Sequence, residues 1–128
     1  MKCQELQIWD WITDGHGLPM QITNVGDDYA YATFEGNEGD PWEFSDKDEQ
    51  PQPILLTTEI LEKNGWECNG IFMEKRIGEN TQLSWTDICG AVLSQGRYYM
   101  CDCNYVHTLQ HALRLCGFDE LANNFKVV

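Results

Sequence analysis

The segment Cys101-Asp-Cys-Asn-Tyr-Val-His-Thr-Leu-Gln-His-Ala-Leu-Arg-Leu-Cys116 holds the densest set of chemically able side chains in the chain. Cys101 and Cys103 are followed by His107 and His111, four residues apart, and then by Cys116. Histidines at i and i+4 share a helix face and can reach one zinc ion. Hydrolysis by such a pair also needs a glutamate directly after the first histidine as general base, and Thr108 stands there. A hydroxyl cannot accept and pass on a water proton at neutral pH. The zinc protease in its usual form is excluded.

A structural zinc site from Cys101, Cys103, His107 and His111 has suitable ligands but the wrong spacing, since zinc knuckles separate their cysteines by two to four residues. On a strand, Cys101 and Cys103 share one side. A helix would then have to begin at once and turn both imidazoles back. A cysteine nucleophile beside His107 lacks any sign of a lowered thiol pKa or an oxyanion donor. The runs Glu35–Asp40 and Ser45–Glu49 lack the ordered oxygens and central glycine of a calcium loop. No glycine-rich phosphate cradle is present. The sequence predicts no cofactor, no catalytic residue and no enzyme.

The segment reads better as a buried helix. Asn104 is its expected N-cap, and Val106, Leu109, Leu113 and Cys116 form an apolar stripe at helical spacing. Gly117 suits the left-handed residue after the helix, with Phe118 folding back onto Leu113. His107, His111 and Arg114 fall on a neighbouring polar strip, one step from the core.

Charge is the strongest compositional signal. The chain of 128 residues carries a formal net charge of −13. Between Asp27 and Glu49 stand Asp27, Asp28, Glu35, Glu38, Asp40, Glu43, Asp46, Asp48 and Glu49 against Lys47 alone. Such a surface repels phosphate backbones, so direct nucleic-acid binding is not expected. It keeps a protein soluble, or meets a basic protein partner, or imitates nucleic acid. No apolar run is long enough for a membrane span. The start, MKCQELQIWDWI, has no uninterrupted apolar stretch, so a cytoplasmic protein with reduced thiols is expected. Cys68, Cys89 and Cys116 lie beside apolar residues and are expected to be buried.

The elements that must position these groups change character midway. The first half reads as short strands: Leu6–Thr13 with a slip near Trp9, Leu18–Val25, Tyr29–Phe34 and Trp42–Phe44, separated by glycine-rich turns. Trp9, Trp11, Tyr29, Tyr31 and Trp42 are expected mainly in its core. Residues 46–53, polar with two prolines, read as a linker. Thr57 then caps a helix that Asn64-Gly65 ends, with Trp66 folding back onto Leu61. Gly70–Ile77 and Thr81–Trp85 are predicted paired strands joined through Gly78-Glu-Asn80. Ile88–Leu93 is open between strand and helical turn, Arg97–Cys103 is a strand, and Phe125–Val128 a last short one. The order is α+β: a small SH3-like β-rich half, residues 1–50, packed on a helix–antiparallel sheet–helix half, residues 51–128, in one compact unit.

Two stretches carry a resemblance. Pro53-Ile-Leu-Leu-Thr-Thr-Glu-Ile-Leu-Glu-Lys-Asn-Gly-Trp66 and Tyr105-Val-His-Thr-Leu-Gln110 resemble a motif pair, roughly "PIPLTxEILxKNGF" and "YVHxLQ". The pair belongs to small uncharacterised proteins of gut-bacterial phages and mobile elements. Their front half begins something like "GDWV", a place that Trp9-Asp-Trp-Ile12 loosely fills. Leu55 departs from the pattern, which has proline there. The resemblance implies an accessory protein in a bacterial cytoplasm and transfers no catalytic residue.

The expected function is therefore a non-enzymatic interaction module binding a protein partner, for which a basic host protein is a candidate. Its candidate contact residues are Trp11, Asp40, Trp42, Asp46, Asp48, Glu49, His107 and His111. The alternatives are an inhibitor of a host nucleic-acid-handling or defence protein through an acidic DNA-mimicking surface, and a small zinc-binding protein or enzyme using His107 and His111. Oligomeric state is not legible.

Overall fold

The computed structural model describes residues 1–77 and 79–128; Gly78, in the expected Gly78–Asn80 turn, lies outside the described residues. The chain is α+β and is built on two antiparallel sheets. The first contains β1 (Trp11–Thr13), β2 (Pro19–Val25), β3 (Tyr29–Thr33), β4 (Trp42–Ser45) and β5 (Gln52–Pro53), in the order β4-β3-β2-β1-β5. The second contains β6 (Glu67–Asn69), β7 (Phe72–Ile77), β8 (Thr81–Thr86), β9 (Val92–Gln95) and β10 (Tyr98–Asp102), a simple meander. Helices α1 (Thr58–Lys63), α2 (Val106–Leu115) and α3 (Asp119–Asn123) all belong to the second half.

Alternation along β2 and β3 buries Met20, Ile22, Ala30 and Ala32, which with Ile12, Phe44, Cys3 and Leu6 form one core. A 3₁₀ turn, Cys3–Glu5, and the Leu6 that caps it supply the last two side chains and cover this face. The aromatics expected there are elsewhere. Trp9 and Tyr29 are exposed, and Trp11, Tyr31 and Trp42 half-buried. The pleat explains the inversion: Ala30 and Ala32 occupy the inward positions of β3, so Tyr29 and Tyr31 must point out. Small inward residues let the 3₁₀ turn pack close to the strand.

The second core lies between the meander and the helices. Met73, Leu83, Trp85 and Leu93 meet Leu61, Val106, Leu109 and Leu113 there. Both major helices end as expected. At α1, Gly65 takes φ +82°, and the Trp66 and Gly65 N–H groups donate to Leu61 and Glu62 carbonyls at 3.1 Å each. At α2, Gly117 takes φ +85°, and the Phe118 and Gly117 N–H groups donate to Leu113 and Arg114 at 2.8 and 3.0 Å. The Thr57 hydroxyl accepts from the Ile60 N–H at 3.2 Å.

Several expectations need correction. Tyr105, not Asn104, is the N-cap of α2, because the Asn104 carbonyl is already engaged by the Leu56 N–H at 2.8 Å. The stretch 46–53 is not wholly a linker: Gln52–Pro53 pairs with Ile12–Thr13 as an edge strand of the first sheet, beyond residue 50. Residues 6–10 are not strand but a turn that delivers the chain to β1. Residues 125–128 form no strand, while Glu67–Asn69 and Asp119–Asn123 are a strand and a helix beyond those expected. Cys68 and Cys89 are exposed and Cys116 half-buried; the buried thiols are Cys3 and Cys103.

The stretches 53–66 and 105–110 are physically joined. Leu55 and Tyr105 form a β-bridge, flanked by Leu56 N–H to Asn104 O and Val106 N–H to Ile54 O at 2.8 and 2.9 Å. The Asn64 amide then ties α1 to the chain end through Ile60 O, Lys126 O and Lys126 N–H.

Leu61→Ala should cost about 2–5 kcal/mol, since a fully buried side chain is lost from the second core. Thr57→Ala should cost about 1 kcal/mol through the cap alone. Urea unfolding of the two variants measures both, and an equal loss would contradict this account.

Candidate functional site

The two cores meet along a polar junction centred on Asp10, which has no exposure to solvent. The turn Gln7–Asp10 holds it in place. The Asp10 N–H donates to Gln7 O at 3.1 Å, and the Gln7 N–H donates back to Asp10 Oδ2 at 2.8 Å. Helix α2 supplies the rest. His111 Nε2 lies 2.5 Å from Oδ2, and Arg114 Nη1 lies 2.6 Å from Oδ1. An ionised carboxylate only accepts, so Nε2 carries the hydrogen in that contact. Arg114 spreads further, to Gln7 Oε1 at 2.9 Å, Ile8 O at 3.1 Å and Asn123 Oδ1 at 3.2 Å.

Gln110, also fully buried, is the second half of the clamp. Its amide nitrogen donates to Trp9 O and Ala122 O at 2.8 and 2.9 Å, and its oxygen accepts from the Trp11 N–H at 2.9 Å. The Trp11 indole N–H donates to Phe125 O at 2.7 Å. Every polar atom of the Gln110 side chain thereby has a partner, as a buried amide requires.

The turn has a cost. Trp9 has φ +76°, the left-handed region where a bulky residue is strained by about 1–3 kcal/mol. Hydrogen bonds fix it on both sides: its N–H donates to Ile22 O at 2.8 Å, and its carbonyl takes Gln110 and, at 3.2 Å, Gln21. The residue is left 47% exposed, so burial offsets the strain only in part.

His107 lies one turn before His111. Its ring stacks on Tyr105 with centroids 5.9 Å apart, and meets His111 edge-on at 5.6 Å. Burial pushes its pKa below the ordinary value of 6.5, against the opposing pull of Asp10. Its Nδ1 is buried and has no hydrogen-bond partner among the described residues.

The expected site residues thus divide. Trp11 and His111 are built into the junction. Asp46 accepts the Cys3 N–H at 2.7 Å, which lowers its pKa, and Asp48 accepts the Ser45 N–H at 2.8 Å. Asp40 and Glu49 are exposed, and Trp42 lies half-buried against Phe44. Cys101, Cys103, His107 and His111 do not converge: among the described residues no group of three or more His, Cys, Asp or Glu side chains is placed to hold a metal ion. Burial pushes the Cys103 thiol up to about 12, the opposite of what a nucleophile or ligand needs. Two key residues were missed. Asp10, flanked by tryptophans, and Gln110, on a helix otherwise read by its apolar stripe, carried only the signal of polar residues at core-facing positions.

Compared with known proteins, the chain matches no family model, no curated protein sequence and no solved structure.

Arg114→Met should destabilise the protein by roughly 3 kcal/mol, because it strips one partner from a buried carboxylate; thermal unfolding measures the loss. The lowered His107 pKa means the unfolded chain takes up that proton first. Its contribution is therefore whole above about pH 6.5 and falls away as pH drops through the depressed folded value. Unfolding midpoints between about pH 7 and 5 should fall less steeply in His107→Gln than in the parent; parallel slopes would count against this assignment.

Proposed function

We propose that the chain is a non-enzymatic interaction module, encoded by a phage or mobile element, that binds a basic protein partner through its first half. One observation supports this most strongly. All nine carboxylates between Asp27 and Glu49 are exposed, and all sit on the loops and edge strand of the first sheet. Tyr29 and Tyr31 line the outward face of β3 beside them, with Glu43 directly across from Tyr31. The long-range potential of such a surface draws cationic partners, and the aromatic faces give them something to pack on. On this reading the first sheet is an SH3-like half-barrel, and the second half is the platform that holds it.

Phosphate mimicry would need the charges alone. The interaction module needs the aromatics as well. The exposed acids free of structural duty are the ones to reverse: Asp27→Lys, Asp40→Lys and Glu49→Lys together leave Asp46 and Asp48 in their turns. Binding of a fluorescent arginine-rich peptide, followed by anisotropy at low salt, should weaken at least ten-fold in the triple variant. It should also fade in the parent as salt rises. A peptide that fails to bind the parent, or binds the triple variant equally well, would sink the reading.

A further inference from the structure

A groove of about 530 Å³ crosses the outer face of the first sheet. Its floor is the cross-strand row Trp11, Gln21 and Thr33, three residues brought side by side by the β1–β2 and β2–β3 registers. Trp9 and Phe34 flank it, and Glu35 and Glu38 also line it. The groove shares Trp9 and Trp11 with the junction, while Asp10, Gln110, His111 and Arg114 do not line it.

We propose that the groove is the recognition pocket of the acidic surface, and that it takes the guanidinium of an arginine from a basic segment of the partner protein. The inference rests on the reading of the first half as a partner-binding surface and names what that surface recognises. Three features point to this occupant. First, three aromatic rings, Trp9, Trp11 and Phe34, line the groove together with two carboxylates, Glu35 and Glu38, while Leu18, Pro19 and Val128 complete an apolar wall. A guanidinium satisfies both, stacking its plane on indole while its N–H groups reach the carboxylates. Lysine offers a point charge and no plane to stack.

Second, the groove is preorganised. The Trp11 indole is pinned by its bond to Phe125 O, and the Glu38 carboxylate accepts the Gly36 N–H at 3.1 and 3.3 Å, which shapes the Phe34–Glu38 loop. The Asn37 side chain closes the same loop on the Phe34 N–H at 2.6 Å. Trp11 and Glu38 therefore lose little side-chain freedom on binding.

Third, Trp9 is held in a left-handed conformation that suits glycine, with its indole in solvent at the groove edge. About half of that residue's surface is left in solvent, so the fold gains only part of the burial that a tryptophan offers. A strained residue displayed beside a pocket is what a recognition surface requires and a purely structural turn does not.

The charge around the groove completes the fit. Nine exposed carboxylates face one lysine in the stretch that carries its loop, so a basic segment is steered to it from outside.

The test uses the whole chain and a decapeptide of alternating arginine and glycine, read by intrinsic tryptophan fluorescence and by anisotropy of a labelled copy. The parent should bind saturably, and a peptide with citrulline in place of arginine should bind at least ten-fold more weakly. Trp9→Gly should lose at least ten-fold in affinity while its thermal unfolding midpoint stays level or rises. That opposite movement separates a recognition residue from a structural one. Glu35→Gln with Glu38→Gln, which keeps the loop acceptor, should also lose about ten-fold and flatten the salt dependence. Trp9→Phe, keeping an aromatic face, should stay within about three-fold.

Full affinity in both Trp9→Gly and the double glutamine variant would overturn the groove and leave the wider acidic surface standing. Equal binding of the citrulline peptide would overturn the guanidinium. No binding of either peptide to the parent would remove both the groove and the reading beneath it. A Trp9→Gly variant that unfolds at markedly lower temperature would show a structural tryptophan, and would overturn the assignment of Trp9.

Discussion

A carboxylate with no access to solvent sits where the two halves of this protein meet, and the surrounding structure has to satisfy it. An ionised Asp10 left unpaired there would cost several kcal/mol, more than many small folds can spare. Its partners come from the turn that carries it and from two residues of α2, His111 and Arg114. Gln110, the neighbour of His111, does the same for the backbone of Trp9 and Trp11. One helix therefore has two tasks. Its apolar stripe closes the second core, and the adjoining strip locks the first sheet in place.

This junction ties the two cores to each other through hydrogen bonds. Few apolar residues cross the boundary. Trp11 does so, packing against the second core while its strand belongs to the first sheet. Hydrophobic contact alone is non-directional and would leave the sheet free to slide. Hydrogen bonds to Gln110, His111 and Arg114 have fixed lengths and directions, so they set a single orientation. The same bonds hold the strained backbone of Trp9, and so the outer groove inherits its shape from the buried clamp.

Much of the local structure was legible because it depends on neighbours in sequence. Thr57, Gly65 and Gly117 mark helix ends through hydrogen bonds that span only a few residues, and each behaves as its type predicts. The strands at 19–25, 29–33, 72–77 and 81–86 follow from alternation and turn chemistry. The failures share one cause. Trp9, Tyr29 and Tyr31 are apolar by type, but inward and outward faces are assigned by what packs above the sheet, here the turn at Cys3–Glu5. Pro53 looked like linker because its pairing partner, Ile12, lies far away in sequence. The buried thiols were misplaced for the same reason.

The sequence by itself determined the α+β class, the two helix terminations, the absence of a protease glutamate beside His107, and the concentration of charge between residues 27 and 49. Each depends on residue type and short-range spacing. Only the tertiary structure decided that His111 and Arg114 serve a buried aspartate about a hundred residues away, and that Trp9, Phe34, Glu35 and Glu38 border one groove. These are contacts between distant segments, created when two cores dock through a polar seam, and no local pattern encodes them.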